Sequence, residues 1–209
     1  MLAIVLSRKN IKEFDQIISL YTRERGKVEV LAKGIKKITS KNSANLEVLS
    51  LAEVEIAEGK EIDHLTKVQS VKFFKNIYSD FDKIFIAGYA VKIADANILA
   101  RERDARIFDL LTSFLEFLNS VEKANSLNLA TGFIFKLWHC LGFSAPEEKY
   151  RIWLEGSWLA MNELNLSNHE QLKIHEIAKN FAIFNGGKIA AVWSITEKIL
   201  SHGSDNVTF

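Results

Sequence analysis

Ile17-Ile18-Ser19-Leu20-Tyr21-Thr22-Arg23-Glu24-Arg25-Gly26-Lys27-Val28-Glu29-Val30-Leu31-Ala32-Lys33 is the stretch whose reading decides the fold. Two runs rich in strand-forming residues flank a short polar connection. In the second run Val28, Val30 and Ala32 alternate with Lys27, Glu29 and Lys33, the period of a half-buried strand. Arg23-Glu24-Arg25-Gly26 then reads as a tight hairpin turn, with Gly26 available for positive φ. Working outward, Leu2 to Leu6 makes an earlier strand. Val48 to Ile56 makes a later one, with Val48, Ala52, Val54 and Ile56 opposed to Glu53 and Glu55. Glu58-Gly59-Lys60-Glu61 turns the chain into a fifth strand near Leu65 to Phe73. Five short strands in about 75 residues predict a small OB-type barrel, although an SH3-like barrel fits the count almost as well.

Beyond Tyr78 the period becomes helical. Ser79 precedes Asp82 in a weak capping-box pattern, and Phe81, Ile84, Phe85 and Val91 open a helix that is apolar nearly all round. Ile107, Leu110, Leu111, Phe114 and Leu118 define a second helix. Ile134, Leu137, Trp138 and Leu141 mark a third, ending near Gly142 with the sole proline, Pro146, just beyond. Ser167 with Glu170 opens a further helix that Asn185-Gly186-Gly187 stops, and Ile189 to Ile199 carries a last one. The expected architecture is α+β: a five-stranded OB-type barrel over residues 1–78, then an all-α domain over 79–209.

The charge is polarised along the chain. Residues 1–45 hold ten Lys/Arg against four acids, a net +6, while the remaining 164 residues carry −5. The ten are Arg8, Lys9, Lys12, Arg23, Arg25, Lys27, Lys33, Lys36, Lys37 and Lys41. On a barrel they would form a basic face suited to a polyanion, and Phe14 and Tyr21 lie among them as stacking surfaces for unpaired bases. The polar, basic stretch from Gly34 to Asn45 is a long connection of the kind that often carries function. Lysine and arginine tracking a backbone, with a few aromatic rings, suits sequence-independent binding better than base readout.

Other classes find little support. The five histidines show no metal-ligand spacing, and neither a P-loop nor a G-x-G-x-x-G fingerprint occurs. No acid/base or nucleophile cluster stands out, so an enzyme is not expected, nor is a cofactor or zinc. A single cysteine, Cys140, forms no internal disulfide and is consistent with a reducing compartment. Met-Leu-Ala-Ile-Val-Leu at the start is too short for a signal-peptide core, and no apolar run reaches the roughly 18 residues of a membrane span. A cytoplasmic protein without membrane contact is expected.

Several short pieces fall in the order and spacing of a known family. They are Ala3-Ile4-Val5-Leu6, Glu13-x-Asp15, Leu20-x-Thr22, Gly26-Lys27 and Ala32-Lys33-Gly34, then Ser40 and Leu46-Glu47. With the helical start around Tyr89 and Leu137 to Gly142 before Pro146, the chain resembles the RecO family of bacterial recombinational DNA-repair proteins over residues 1 to about 146. The resemblance implies an OB fold followed by a helical domain. It also implies binding of single- and double-stranded DNA, annealing of complementary strands, and partnership with RecR and the single-stranded-DNA-binding protein, which indirectly helps to load recombinase. Many members carry a cysteine zinc site after the third helix. Here residues 144–166 contain no cysteine, and Arg151-Ile152-Trp153-Leu154-Glu155-Gly156-Ser157-Trp158-Leu159 reads as a hairpin near 150–160 in its place, with the two tryptophans as an apolar plug. The rival expectation is a protein-interaction adaptor that binds no DNA and whose basic barrel serves only solubility.

Overall fold

A computed structural model describes residues 1–36, 46–144 and 147–187. Lys37, Lys41, Pro146 and the last expected helix lie outside the described residues. Five strands, β1 (Leu2–Asn10), β2 (Gln16–Thr22), β3 (Gly26–Ala32), β4 (Leu51–Ala57) and β5 (Asp63–Lys72), close a barrel in the order β1-β2-β3-β5-β4. All neighbours are antiparallel except β3 and β5, whose parallel pairing at Val30 with Asp63 and Leu31 with His64 shuts the cylinder. This is the OB-type arrangement, and it settles the choice left open by strand count. Alternation supplies the interior: Ala3, Val5, Ile18, Leu20, Val28, Val30, Ala52, Val54 and Val68 point inward and are buried. Ile18 faces Val30 and Leu20 faces Val28 across the β2–β3 ladder, so apolar pairs stack at each level of the core.

β1 runs further than its apolar run suggests. It continues through Ser7-Arg8-Lys9 to Asn10, which pairs with Gln16, because ladder bonds join backbone groups and need no apolar side chain. A register shift between Val5 and Ser7 bends the strand there, as a bulge does. β4 starts later than expected, at Leu51, because the chain turns at Leu49 (φ 75°) with Ser50 N–H donating to the Glu47 carbonyl.

By contact the chain divides into two compact units. One is Met1–Lys75 together with Ile98–Glu116; the other is Asn76–Asn97 together with the chain from Phe117. Ile98–Glu116 therefore counts with the barrel, and the reason lies at the β2–β3 turn. The Tyr21 hydroxyl donates to the Asp104 carbonyl at 2.9 Å and lies 3.2 Å from the Asp104 N–H. Arg101 N–H donates to the Lys27 carbonyl at 2.7 Å. Gly26 has φ 67°, and a Cβ there would lie 2.0 Å from the Glu102 carbonyl oxygen. Only glycine allows both that backbone and that approach.

In the second unit, α1 (Lys75–Tyr78) leads into α2 (Phe81–Asn97), whose first turn is capped by the Asp80 carboxylate accepting from Lys83 N–H, the role expected of Ser79. α3 (Ala105–Ser120) begins within the barrel unit. The hub of the helical unit is α4 (Ser126–Cys140), buried continuously from Leu127 to Phe135 and packed against its neighbours on several sides. Around it lie α2, α5 (Arg151–Glu155), α6 (Trp158–Asn162) and α7 (Asn168–Phe184). The Ser167/Glu170 capping box opens α7 as expected, and Gly186 (φ 84°) closes it.

The hairpin expected near 150–160 is not formed. The segment folds as α5 and α6, broken at Gly156, with the Ser157 side chain capping α6 by accepting from Ala160 N–H. Trp153 is buried, whereas Trp158 is half-buried beneath the Lys136 ammonium, which donates to the Leu154 carbonyl at 2.7 Å. Burial pulls the Lys136 pKa below its ordinary value. Met161 seats against Gly132 of α4, where a Cβ would lie 2.3 Å from its sulfur. Two five-residue helical turns thus dock on α4 where the sequence suggested strands.

Candidate nucleic-acid interface

Of the described basic residues in 1–36, all but Arg8 lie at the two ends of the barrel and not on one face. β2 carries the chain from the β1–β2 loop to the β2–β3 turn over seven residues, about 20 Å at strand rise. Arg23, Arg25 and Lys27 lie at the turn end; Lys9, Lys12, Lys33 and Lys36 lie at the loop end. Arg8 lies along β1 opposite Ile18.

At the turn end the two arginines have acidic partners within the fold. Arg23 pairs with Asp109 at 3.1 Å and lies over the Phe108 ring. Arg25 pairs at 2.8 Å with Asp63, a buried carboxylate whose other oxygen accepts from Gly59 N–H. Lys27 is half-buried, its carbonyl bound by Arg101. Nearby, the Arg106 guanidinium forks onto Asp104 and holds its carboxyl below the usual carboxylate range. Arg8 behaves similarly: its guanidinium donates to Gln16 at 3.1 Å, to the Leu46 carbonyl at 3.3 Å and to Glu47 at 3.1 Å, tying β1 to the chain that enters β4.

The loop end is built differently. The hairpin loop 11–15 is closed by Ile11 and Lys12 N–H groups donating to the Asp15 carbonyl. The turn after β3 needs a left-handed residue, supplied by Gly34 (φ 64°). Gly34 N–H donates to Asp15 Oδ1 at 2.7 Å, and Lys36 N–H donates to the Phe14 carbonyl at 3.2 Å. Two loops far apart in sequence are stitched together, and two pieces of the motif, Glu13-x-Asp15 and Ala32-Lys33-Gly34, meet through that bond. Between them lies an open hollow of about 470 Å³ lined by Lys12, Glu13, Phe14, Asp15, Lys33 and Gly34. Lys9, Lys12, Lys33 and Lys36 are exposed and make no ion pair with another described residue.

The two aromatic candidates separate just as sharply. Phe14 is 41 % exposed at the hollow. Tyr21 has no exposed surface, and its ring is enclosed under the 98–104 segment that its hydroxyl holds, so it offers no face to a base. Composition could not find the contribution of Asp15, since it acts through a backbone bond to a residue 19 positions away. Among the described residues no group of three His, Cys, Asp or Glu side chains gathers as a metal site, and no helix is long and apolar enough to cross a membrane.

A closed five-stranded barrel with two lysines and a half-exposed phenylalanine lining a hollow at one end, joined in sequence to a helical unit, is an OB-type protein. Comparison with known proteins makes this specific. Residues 1–74 match the family model described as Recombination protein O N terminal, and residues 78–148 the one described as Recombination protein O C terminal. Proteins described as DNA repair protein RecO are similar to this chain. The one from Dehalococcoides mccartyi is 36 % identical over 118 residues, 56 % of this chain and 47 % of the relative. That from Desulforamulus reducens is 30 % identical over 142 residues, 68 % and 53 % of the two chains. That from Geobacter metallireducens is 33 % identical over 147 residues, 66 % and 60 %. The chain belongs to the RecO family. The matched region spans about half the length of these curated relatives.

Proposed function

We propose that this protein is a non-catalytic mediator of recombinational DNA repair that binds single- and double-stranded DNA and anneals complementary strands. In this reading it acts with RecR and the single-stranded-DNA-binding protein to help load recombinase. The observation that carries the DNA reading is the loop end of the barrel, where Lys12 and Lys33 line a hollow with half-exposed Phe14, Lys9 and Lys36 stand exposed on the adjoining strand and turn, and none of the four makes an ion pair with another described residue. Lysines at this corner neutralise phosphate and release counterions, so two strands can approach on one surface. Phosphate contacts carry no sequence information, which suits a protein that must anneal any pair of complements. The turn-end residues Arg23 and Arg25, and Arg8, are engaged in ion pairs within the fold and take a smaller part in DNA contact.

Binding of an unstructured oligonucleotide at several salt concentrations tests the proposal. If the four lysines each meet one phosphate, the log–log slope is roughly −2.8, from about −0.7 per phosphate on a single strand. Complementary-strand annealing should fade with salt in parallel. No binding at low salt would favour the adaptor reading, in which the basic barrel serves only solubility.

A further inference from the structure

Asp15 stands where charge alone would not put it. It lines the hollow at the loop end beside Lys12 and Lys33, and a carboxylate there weakens the potential that attracts phosphate. Its bonds supply another reason. The β2–β3 ladder ends at Gln16 opposite Ala32, one residue short of Asp15. Beyond that pair the Asp15 side chain continues the connection, with Oδ1 accepting from Gly34 N–H at 2.7 Å. The Asp15 carbonyl accepts from Ile11 N–H at 3.2 Å and from Lys12 N–H at 3.4 Å. One residue thus takes backbone donors from two segments. The segments depend on it unequally. After β3, Ile35 is buried in the barrel core and anchors its turn. Residues 11–14 are all exposed, so their loop sets no side chain into the core.

We infer that Asp15 is a positioning residue for DNA: its carboxylate holds the loop that carries Lys12 against the turn that carries Lys33 and Lys36, so that lysines of both segments meet one strand. This rests on the DNA-binding reading above and adds to it the residue that arranges the site. Two loops ordered only at the moment of binding would lose conformational freedom that a pre-formed pair has already given up. The role calls for an acceptor and not for a charge. An amide oxygen also accepts, so asparagine keeps the bond and drops the repulsion, whereas alanine drops both. If the carboxylate acted only as a charge, its removal in either variant would tighten binding. If it positions the loop, alanine weakens binding although a repulsive charge has gone.

The test is binding of an unstructured oligonucleotide across a salt series, for the full chain and for Asp15→Asn, Asp15→Ala and Asp15→Glu, each well below its melting temperature. Asp15→Asn should bind about twofold more tightly than the parent at low salt and keep the parent slope. Asp15→Ala should bind about fivefold more weakly, and its log–log slope should shrink by about 1.4, from about 0.7 for each phosphate that Lys9 and Lys12 no longer reach. Asp15→Glu keeps the charge but displaces the acceptor, so it should weaken binding and reduce the slope; it decides the matter where the alanine variant melts too low to assay. A purely structural bond would lower the melting temperature of these variants and leave the slope at the parent value. That result, or an Asp15→Ala protein that binds as tightly as the parent, or an Asp15→Asn protein that weakens as much as the alanine one, would overturn the positioning role and leave the DNA-binding reading standing. A parent that binds no single strand at low salt would overturn both.

Discussion

The two ends of the barrel carry similar basic residues and put them to different uses. At the β2–β3 turn, Arg23 and Arg25 are matched to Asp109 and Asp63, and Tyr21, Gly26 and Lys27 hold the returning 98–104 segment. At the β1–β2 loop end, Lys9, Lys12, Lys33 and Lys36 are exposed, two of them beside Phe14, while the backbone there is fixed by the bond between Asp15 and Gly34. The division follows the chemistry of the side chains. A guanidinium is a planar fork suited to carboxylates and carbonyls inside a fold, whereas an ammonium on a flexible stem stays hydrated. Arg8, Arg23 and Arg25 all have acidic partners, whereas Lys9, Lys12, Lys33 and Lys36 make no ion pair with another described residue; elsewhere on the barrel Lys67 and Lys72 do pair, with Glu55 and Glu116.

The largest effect expected from this comparison is on stability at the turn end. Gly26→Val forces a β-branched residue into left-handed backbone and drives its Cβ into the Glu102 carbonyl. Strain and overpacking together should cost more than about 3 kcal/mol, seen as a large loss in denaturant midpoint. A fully stable Gly26→Val protein would mean that the 98–104 segment does not hold the barrel as described.

A second effect sets the pH range in which binding at the two ends can be compared. His175 is buried in the helical unit, 2.9 Å through Nδ1 from the Thr131 hydroxyl. That hydroxyl already donates to the Leu127 carbonyl, so at His175 it accepts, and the imidazole is the neutral Nδ1–H form. Burial first, and Lys179 second, lowers the His175 pKa from 6.5 to about 3. A depressed folded-state pKa means the unfolded chain binds the proton first, so this contribution is complete above about pH 6.5 and is lost as pH falls toward 3. At pH 5 the loss is about 2 kcal/mol, from about 1.36 kcal/mol per pH unit below the unfolded-state pKa. Urea melts at pH 7 and pH 5 should show it, and His175→Gln should flatten the difference. If the variant and the parent weaken equally on acidification, His175 is not the acid-sensitive group.

Much of the fold was legible because it rests on period. Val28, Val30 and Ala32 alternate into the core as written, and the Ser167/Glu170 box opens its helix. What escaped was set by contacts distant in sequence. Tyr21 looks like a stacking residue among arginines, yet its burial depends on Asp104, 83 positions away. Residues 150–160 are apolar at spacings that fit either period over so short a run, and docking on α4 decides for helix. The charge cluster was visible as a cluster, but its division between two ends depends on ion pairs that span 38 or more residues at Arg25 and Arg8. Exposure of Phe14 and the lysines of the loop end could be anticipated from their polar, turn-rich setting; the bond from Asp15 to Gly34 that gathers them could not.

The most direct test of the account sets the two ends against each other. Single-strand binding would be measured across a salt series for the parent, for Lys12→Gln/Lys33→Gln/Lys36→Gln, and for Arg23→Gln/Arg25→Gln, each well below its melting temperature. The lysine triple should lose about 2 units of log–log slope, from about 0.7 per phosphate, while the arginine double keeps the parent slope despite a lower melting temperature. A lysine triple with the parent slope, beside an arginine double that loses it, would place the DNA at the opposite end of the barrel and contradict the account.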